Sequence, residues 1–272
     1  MPMTPISSQG PRSHGPKHKA PSPVSRRRVL LGGAAVAAAG GLGVAGMASA
    51  GGAGSATGTA TAGTGGARAV CSLLAQATEG PYALPGALVR SDIAEDKPGF
   101  PLRFLLTVVD QNAGCAPLAD ALVELWHCDH LGEYSGFVGG NGHEEADNGT
   151  FCRGAGMTDE NGQVELTTIW PGHYRGRAVH VHLRVHTDVT LTEDSYTGGE
   201  LVHTGQLFFD PQINAQVQAA APYTENTTPE TDLDEDSVYD GGGAASGLVT
   251  LFALGESVTD GYAATLTLGV DA

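Results

Sequence analysis

The sequence predicts an all-β fold: a β-sandwich core with long loops over its chemistry-bearing residues and few short helices. Three observations carry that reading. Apolar and polar residues alternate in short runs, most clearly over residues 179–187, which is the period of a strand with two different faces. Turn signals such as Asp110-Gln111-Asn112-Ala113-Gly114, Asp159-Glu160-Asn161-Gly162 and Pro171-Gly172 separate the runs. Helical patterning is weak, limited to a turn near residues 72–77 and a short helix over 213–220. Many short strands divided by turns make a sandwich.

In chain order, residues 102–109 form the first strand, a β-prone run closed by the Asp110–Gly114 turn. Residues 121–127 alternate, with Leu122, Glu124 and Trp126 on one face. The Asn161-Gly162 turn leads into a strand over 163–169, which Pro171-Gly172 ends. Over 179–187 the period of two places His180, His182, Arg184 and His186 on one face and valines and a leucine on the other. Later strands cover 206–209, 248–254 and 263–270.

Charge is partitioned along the 272 residues. The formal net charge is −16, from 14 Lys and Arg against 30 Asp and Glu. Six of the basic residues (Arg12, Lys17, Lys19, Arg26, Arg27, Arg28) and none of the acidic ones fall in the first fifty positions, so the rest of the chain is strongly acidic. An acidic body excludes an electrostatic grip on nucleic acid, which needs a basic face. A hydrophobic share of 41% excludes a disordered acidic chain.

Residues 1–50 read as a twin-arginine signal peptide. Ser25-Arg26-Arg27-Arg28-Val29-Leu30-Leu31 is followed by a weakly apolar, Gly- and Ala-rich run, and Ala48-Ser49-Ala50 ends it in cleavage-site form. The competing reading is a retained anchor, which the glycines and the Ala-Ser-Ala end disfavour. The expectation is a secreted bacterial protein with the twin-arginine export machinery as partner and no stable membrane insertion after cleavage. Such export carries folded proteins, so a cofactor can be loaded first. Residues 51–69 are a Gly/Ala/Ser/Thr-rich flexible linker, and residues 70–272 are the folded domain.

Four cysteines, Cys71, Cys115, Cys128 and Cys152, in an exported chain favour disulfides, with three connectivities open. Cys71 and Cys115 flank the first strand, and Cys128 and Cys152 bracket a Gly/Asn-rich loop, so Cys71–Cys115 with Cys128–Cys152 is the preferred pairing.

Chemistry concentrates between positions 126 and 206. Two imidazoles at i and i+2 on a strand, His180 and His182, can bind one metal ion, although a solvated polar face gives the same pattern. Just upstream, Trp170-Pro171-Gly172-His173-Tyr174-Arg175-Gly176-Arg177 delivers a tyrosine and arginines on a glycine-flanked loop. Further upstream, Trp126-His127-Cys128-Asp129-His130-Leu131-Gly132-Glu133-Tyr134-Ser135-Gly136 delivers a second tyrosine.

With Thr158-Asp159-Glu160-Asn161-Gly162-Gln163-Val164, Glu79-Gly80-Pro81-Tyr82 and Thr204-Gly205-Gln206-Leu207-Phe208-Phe209-Asp210, these motifs resemble the intradiol ring-cleavage dioxygenase family, in its exported twin-arginine branch. That family includes catechol 1,2-dioxygenase and protocatechuate 3,4-dioxygenase. The resemblance covers most of residues 71–210. It implies a β-sandwich holding one non-haem Fe(3+) through Tyr134, Tyr174, His180 and His182. It also implies a catechol-type substrate, O2 as co-substrate, and cleavage between the two hydroxylated carbons to a cis,cis-muconate-type product. Ferric ion is a hard acid that favours phenolate oxygen, and two tyrosinates with two neutral imidazoles leave a net +1 for an incoming catecholate dianion. Within the same resemblance Tyr174 yields its place to substrate, Arg177 steadies negative charge on the ring, and Gln206 is a second polar residue beside it. Homodimers occur in the family and are one assembly the resemblance allows.

Three positions depart from the family pattern: His130, Gly156 and His173. They are expected to alter the pocket wall and so the choice of catechol, and leave the ligands intact. Tyr82 fits either a ring over the cavity mouth or a core tyrosine. The acidic stretch Glu230-Thr231-Asp232-Leu233-Asp234-Glu235-Asp236 lacks the glycine of a calcium loop and reads as solvated. The alternative function is a non-catalytic, prealbumin-like β-sandwich binding module, which needs the turns but neither Tyr134 nor His-x-His. A cupin is excluded by the missing Glu after His182.

Overall fold

The computed structural model describes residues 71–240 and 244–272. The expected leader (1–50) and linker (51–69) lie outside the described residues. Eleven strands and one α-helix follow in order among them. They are β1 (Pro101–Asp110), β2 (Ala116–Pro117), β3 (Leu122–Trp126), β4 (Tyr134–Val138), β5 (Gly142–His143), β6 (Arg153–Met157), β7 (Gln163–Ile169), β8 (His180–Leu191) and β9 (Tyr196–Phe208), then α1 (Pro211–Gln218), β10 (Thr250–Ala253) and β11 (Tyr262–Val270).

Two sheets form the sandwich. In one, β1 pairs with β11 in parallel and with β7 and β2 antiparallel, and β10 extends the β11 edge. In the other, the order is β6-β3-β8-β9, all antiparallel. Alternate residues meet between the sheets: Leu102, Phe104, Leu106 and Val108 of β1 pack with Val123 and Leu125 of β3 and with Val181, Leu183 and Val185 of β8. The opposite face of the second sheet carries Glu124, Trp126, His180, His182 and Arg184. These are buried too, or nearly so, because the long loops fold over them.

Several elements differ from the sequence expectation. Residues 72–77 form no helical turn; they run extended, with Leu73 bridging Gly269 and Ala77 N donating to Thr204 O. The strand expected at 206–209 begins at Tyr196, because the Gly198-Gly199 pair is held inside a hairpin with β8. β6 was not expected: Gly154 and Gly156 face the core, so its sequence shows no apolar alternation. The helix starts two residues early, at Pro211, with Asp210 accepting from the Gln212 and Ile213 amides as N-cap.

The Cys71–Cys115 disulfide forms as expected and ties the entering chain to the β1–β2 turn. The Cys128–Cys152 pairing is corrected: both are free and buried. Their side chains enter different clusters. Cys128 packs with Trp126, Tyr134 and Tyr174 and its Sγ donates to Gly172 O, whereas Cys152 packs with Phe151 and Ile169.

Candidate metal centre

The residues singled out in the sequence converge on the outer face of the second sheet. β8 supplies His180 and His182, adjacent on that face. His180 Nδ1 donates to Ala178 O at 2.7 Å, which sets the tautomer and leaves the Nε2 lone pair facing the site. That nitrogen lies 3.2 Å from Tyr174 Oη, 3.3 Å from Arg177 Nη1 and 3.1 Å from His182 Nε2. The Tyr134 ring sits 5.8 Å from Tyr174 and 6.1 Å from His182, centre to centre. Its hydroxyl is buried with no well-formed hydrogen bond, although Tyr174 is near enough to interact electrostatically.

His182 and Tyr134 are each held by a stacked ring. Trp126 of β3 stacks on His182 at 4.9 Å with the planes 6° apart, and the Arg184 guanidinium also lies over that indole, 4.9 Å from its centre. Arg184 in turn binds Glu79 and the Leu84 carbonyl. Gly80 sits at φ +69°, and a Cβ there would stand 3.2 Å from His182 Cε1. Glycine is therefore required both for the turn and for the close approach to the imidazole. Tyr82 lies flat on Tyr134 at 4.5 Å and receives the Asn141 amide on its hydroxyl. It is half-buried and joins both earlier readings, covering the site and packing in its wall.

Arg177 is fixed on two edges. Its Nε donates to Asp236 Oδ2 at 3.0 Å and its Nη2 to Gln206 Oε1. Gln206 is itself oriented by donating to Thr78 O. All six residues expected at the site are thus brought together. His130, Gly156 and His173 are not: His130 packs edge-on against Tyr223, His173 bonds Gln218 Oε1 and Thr228 O, and Gly156 faces Val164 and Leu166 in the core. The expectation that these three shape the pocket wall is corrected accordingly.

Burial sets the protonation states. It pushes His180 down to about 3, helped by the Arg177 charge, and holds His182 well below the ordinary histidine value, helped by His180 and nearby arginines. Burial also drives Tyr134 far above its ordinary value and Tyr174 up to about 12. Neutral imidazoles are ready ligands, whereas the phenols need a nearby cation to ionise. Metal–imidazole bonds of about 2.1 Å place two nitrogens roughly 3 Å apart when they bind one ion at a right angle. The 3.1 Å between the two Nε2 atoms and the orphaned Tyr134 hydroxyl fit that demand. A second convergence, of Asp129, Glu133 and His143, contains Lys97 Nζ 3.1 Å from Asp129 Oδ2, an ion pair beside the loop before Tyr134.

Asp236 was missed by the sequence reading. It is fully buried within the stretch read as solvated, and no local spacing announces a partner 59 residues away.

Fold and donor set together define a class: a β-sandwich whose outer sheet face holds two phenols and two imidazoles under long loops. A dioxygenase family model matches residues 79–190. The intradiol ring-cleavage dioxygenase from Tetranychus urticae is 32% identical with a TM-score of 0.64, over 74% of this chain and 95% of that one. A second dioxygenase crystal structure matches at 31% identity and TM-score 0.64, with the same coverage. Catechol 1,2-dioxygenase from Acinetobacter baylyi is 37% identical over 101 residues, which is 35% of this chain and 30% of that enzyme's length. The chain belongs to the intradiol ring-cleavage dioxygenase family.

Proposed function

We propose that this chain is a non-haem iron dioxygenase that cleaves a catechol-type ring between its hydroxylated carbons, using O2, to a cis,cis-muconate-type diacid. Tyr134, Tyr174, His180 and His182 would hold the Fe(3+). The observation that carries this reading is the buried meeting of their donor atoms, with His180 Nε2 within 3.2 Å of both Tyr174 Oη and His182 Nε2. When bound, ferric iron supplies Lewis acidity that ionises phenols and draws electron density from a coordinated catechol ring.

The chain's own residues do the rest. Tyr174 stands on a loop pinned at Gly172, whose Cα faces the Asp129 and His130 carbonyls, and open at Gly176, where a side chain would meet nothing within 4 Å. In this proposal it is the tyrosine that yields its place to substrate, and its Oη is the base for one catechol proton. Arg177 Nη1 faces the same space and offsets negative charge on the ring in a dry pocket where fixed donors act strongly. Gln206 takes one edge of that guanidinium. Tyr82 and Trp126 cover the flanks against water. The non-catalytic module is disfavoured, since nothing in a packing role requires two phenols and two imidazoles to converge.

Residues 1–50 are read in the same proposal as an export leader, supported by Arg26-Arg27-Arg28, by Ala48-Ser49-Ala50 and by the Cys71–Cys115 disulfide, a bond of oxidising compartments. N-terminal sequencing of the secreted protein should begin just after Ala50. The catalytic reading is tested by loading the purified protein with ferric iron. A burgundy tyrosinate charge-transfer absorption should appear, with oxygen uptake on adding catechol and a product heavier by both oxygen atoms. A protein that stays colourless and inert after iron loading overturns it.

A further inference from the structure

We propose that Asp236 is the positioning residue for Arg177, a role that rests on the catechol-cleavage reading above. The stretch that carries it is exposed: Asp234, Glu235 and Ser237 on either side face solvent, and Asp236 alone among them turns fully inward. A buried carboxylate is costly unless its oxygens are paired. Here each oxygen takes two donors. Oδ2 accepts from Arg177 Nε at 3.0 Å and from the Ala178 amide at 2.7 Å; Oδ1 accepts from the Val238 amide at 2.8 Å and the Tyr239 amide at 3.2 Å. One carboxylate therefore fastens the acidic loop to itself and, through the other oxygen, holds both the guanidinium of Arg177 and the main chain next to it.

The consequence is directional. Arg177 has three nitrogen edges. Asp236 takes Nε and Gln206 takes Nη2, so Nη1 is left against His180 Nε2. Gln206 alone would leave the guanidinium free to rotate about one contact. Burial pushes the Asp236 carboxyl up, but the Arg177 charge and the three amides outweigh it and keep it ionised. The pair also explains why the cation can stand beside two neutral imidazoles without a second counter-charge at the substrate side. Asp236 touches no reacting atom; it acts through Arg177.

A double-mutant cycle on the iron-loaded full chain tests this, using catechol as ligand and substrate. Asp236→Asn keeps the volume but replaces one acceptor by a donor. The iron content and the tyrosinate absorption should persist. The Kd for catechol, read without oxygen from the change in that absorption, should rise about tenfold, and kcat should fall by roughly ten- to a hundredfold, the range for residues that orient a metal site's inner groups. In the Arg177→Ala background the same change should move either quantity by less than about threefold. A merely structural residue would give losses that multiply in the two backgrounds, and that result overturns the proposal, as does an unaltered Asp236→Asn enzyme. Should Asp236→Asn accumulate only unfolded, Asp236→Glu, which keeps the charge but moves it by one methylene, goes through the same cycle with the same criterion. A coloured, active wild type with multiplying losses defeats only the role of Asp236; a colourless, inert wild type defeats the catechol reading and this role with it.

Discussion

β8 has two faces, both buried, for different reasons. Its inward side chains, Val181, Leu183 and Val185, lie between the two sheets. Its outward side chains, His180 and His182, are sealed by loops, with Trp126 and Tyr174 against them. The inner face is held by apolar contact, which is non-directional and tolerant of shape. The outer face is held by stacking, ion pairs and directed hydrogen bonds, which fix individual atoms. Stability should live on the first face and chemistry on the second, and four substitutions or titrations can break that division.

The largest effect belongs to the outer face. Tyr134→Phe keeps the ring that stacks on Tyr82 and removes one oxygen. It should bleach the charge-transfer absorption and lower kcat/KM for catechol by roughly a thousandfold or more, since metal Lewis acidity contributes several kcal/mol. The urea midpoint of the iron-free protein should hardly change, because that hydroxyl has no well-formed hydrogen bond to lose, whereas the iron-loaded wild type should keep an advantage that the variant lacks. Retained colour and turnover would remove Tyr134 from the ligand set.

The inner face should answer in the opposite way. Leu183→Ala empties a fully buried position and should cost about 2–5 kcal/mol of unfolding free energy. The folded fraction should still take up iron and show the same absorption. A change in colour at constant iron content would mean that the two faces are not separable.

A polar residue on the inner side gives the third test. His127 is buried, with Nδ1 donating to Cys128 O and Nε2 accepting from Thr168 of the opposite sheet. Burial pushes it down to about 4. An unfolded histidine protonates near pH 6.5. Between those values the unfolded chain binds a proton that the native one refuses, so stability falls as pH drops from about 6.5 to about 4 and is unaffected by this group above that window. The full loss is roughly 3 kcal/mol for such a shift. His127→Gln should shrink the difference in urea-unfolding free energy between pH 7.5 and 4.5 by roughly 2–3 kcal/mol, most of that loss. An unchanged difference assigns the acid sensitivity elsewhere, for instance to His203, which burial also lowers to about 4.

How much of this was legible in the sequence follows the same division. The alternation of β8 and β7 and the β-prone run of β1 announce the inner face, because a period of two is visible without knowing what covers it. His180 and His182 are legible as a pair for the same reason, and Tyr134, Tyr174, Arg177 and Gln206 through the motifs around them. Of what seals the outer face, only Tyr82 is legible, and then only as one of two readings; the contacts that fix its arginines are not. Asp236 reaches Arg177 across 59 residues, and Glu79 reaches Arg184 across 105. No local pattern encodes such contacts. The cysteines show the limit from another side: Cys128 and Cys152 bracket a loop in sequence, yet their side chains point into different clusters.

Gly156 makes the smallest and most discriminating test. Its departure from the family pattern suggested an altered pocket wall, but it lies on the inner side of β6, where an added Cβ would stand 2.8 Å from Val164 Cγ2 and 3.5 Å from Leu166 Cδ2. A methyl group there must displace a branched side chain of β7 in a packed core. Gly156→Ala should therefore destabilise the fold by about 1–3 kcal/mol, while the catechol Kd and the ratio of rates between catechol and a bulkier substituted catechol stay at wild-type values. The contrary outcome, a changed substrate ratio at unchanged stability, would mean that strain in β6 passes through β3 to Trp126 and His182. The two faces of the second sheet would then be one mechanical unit.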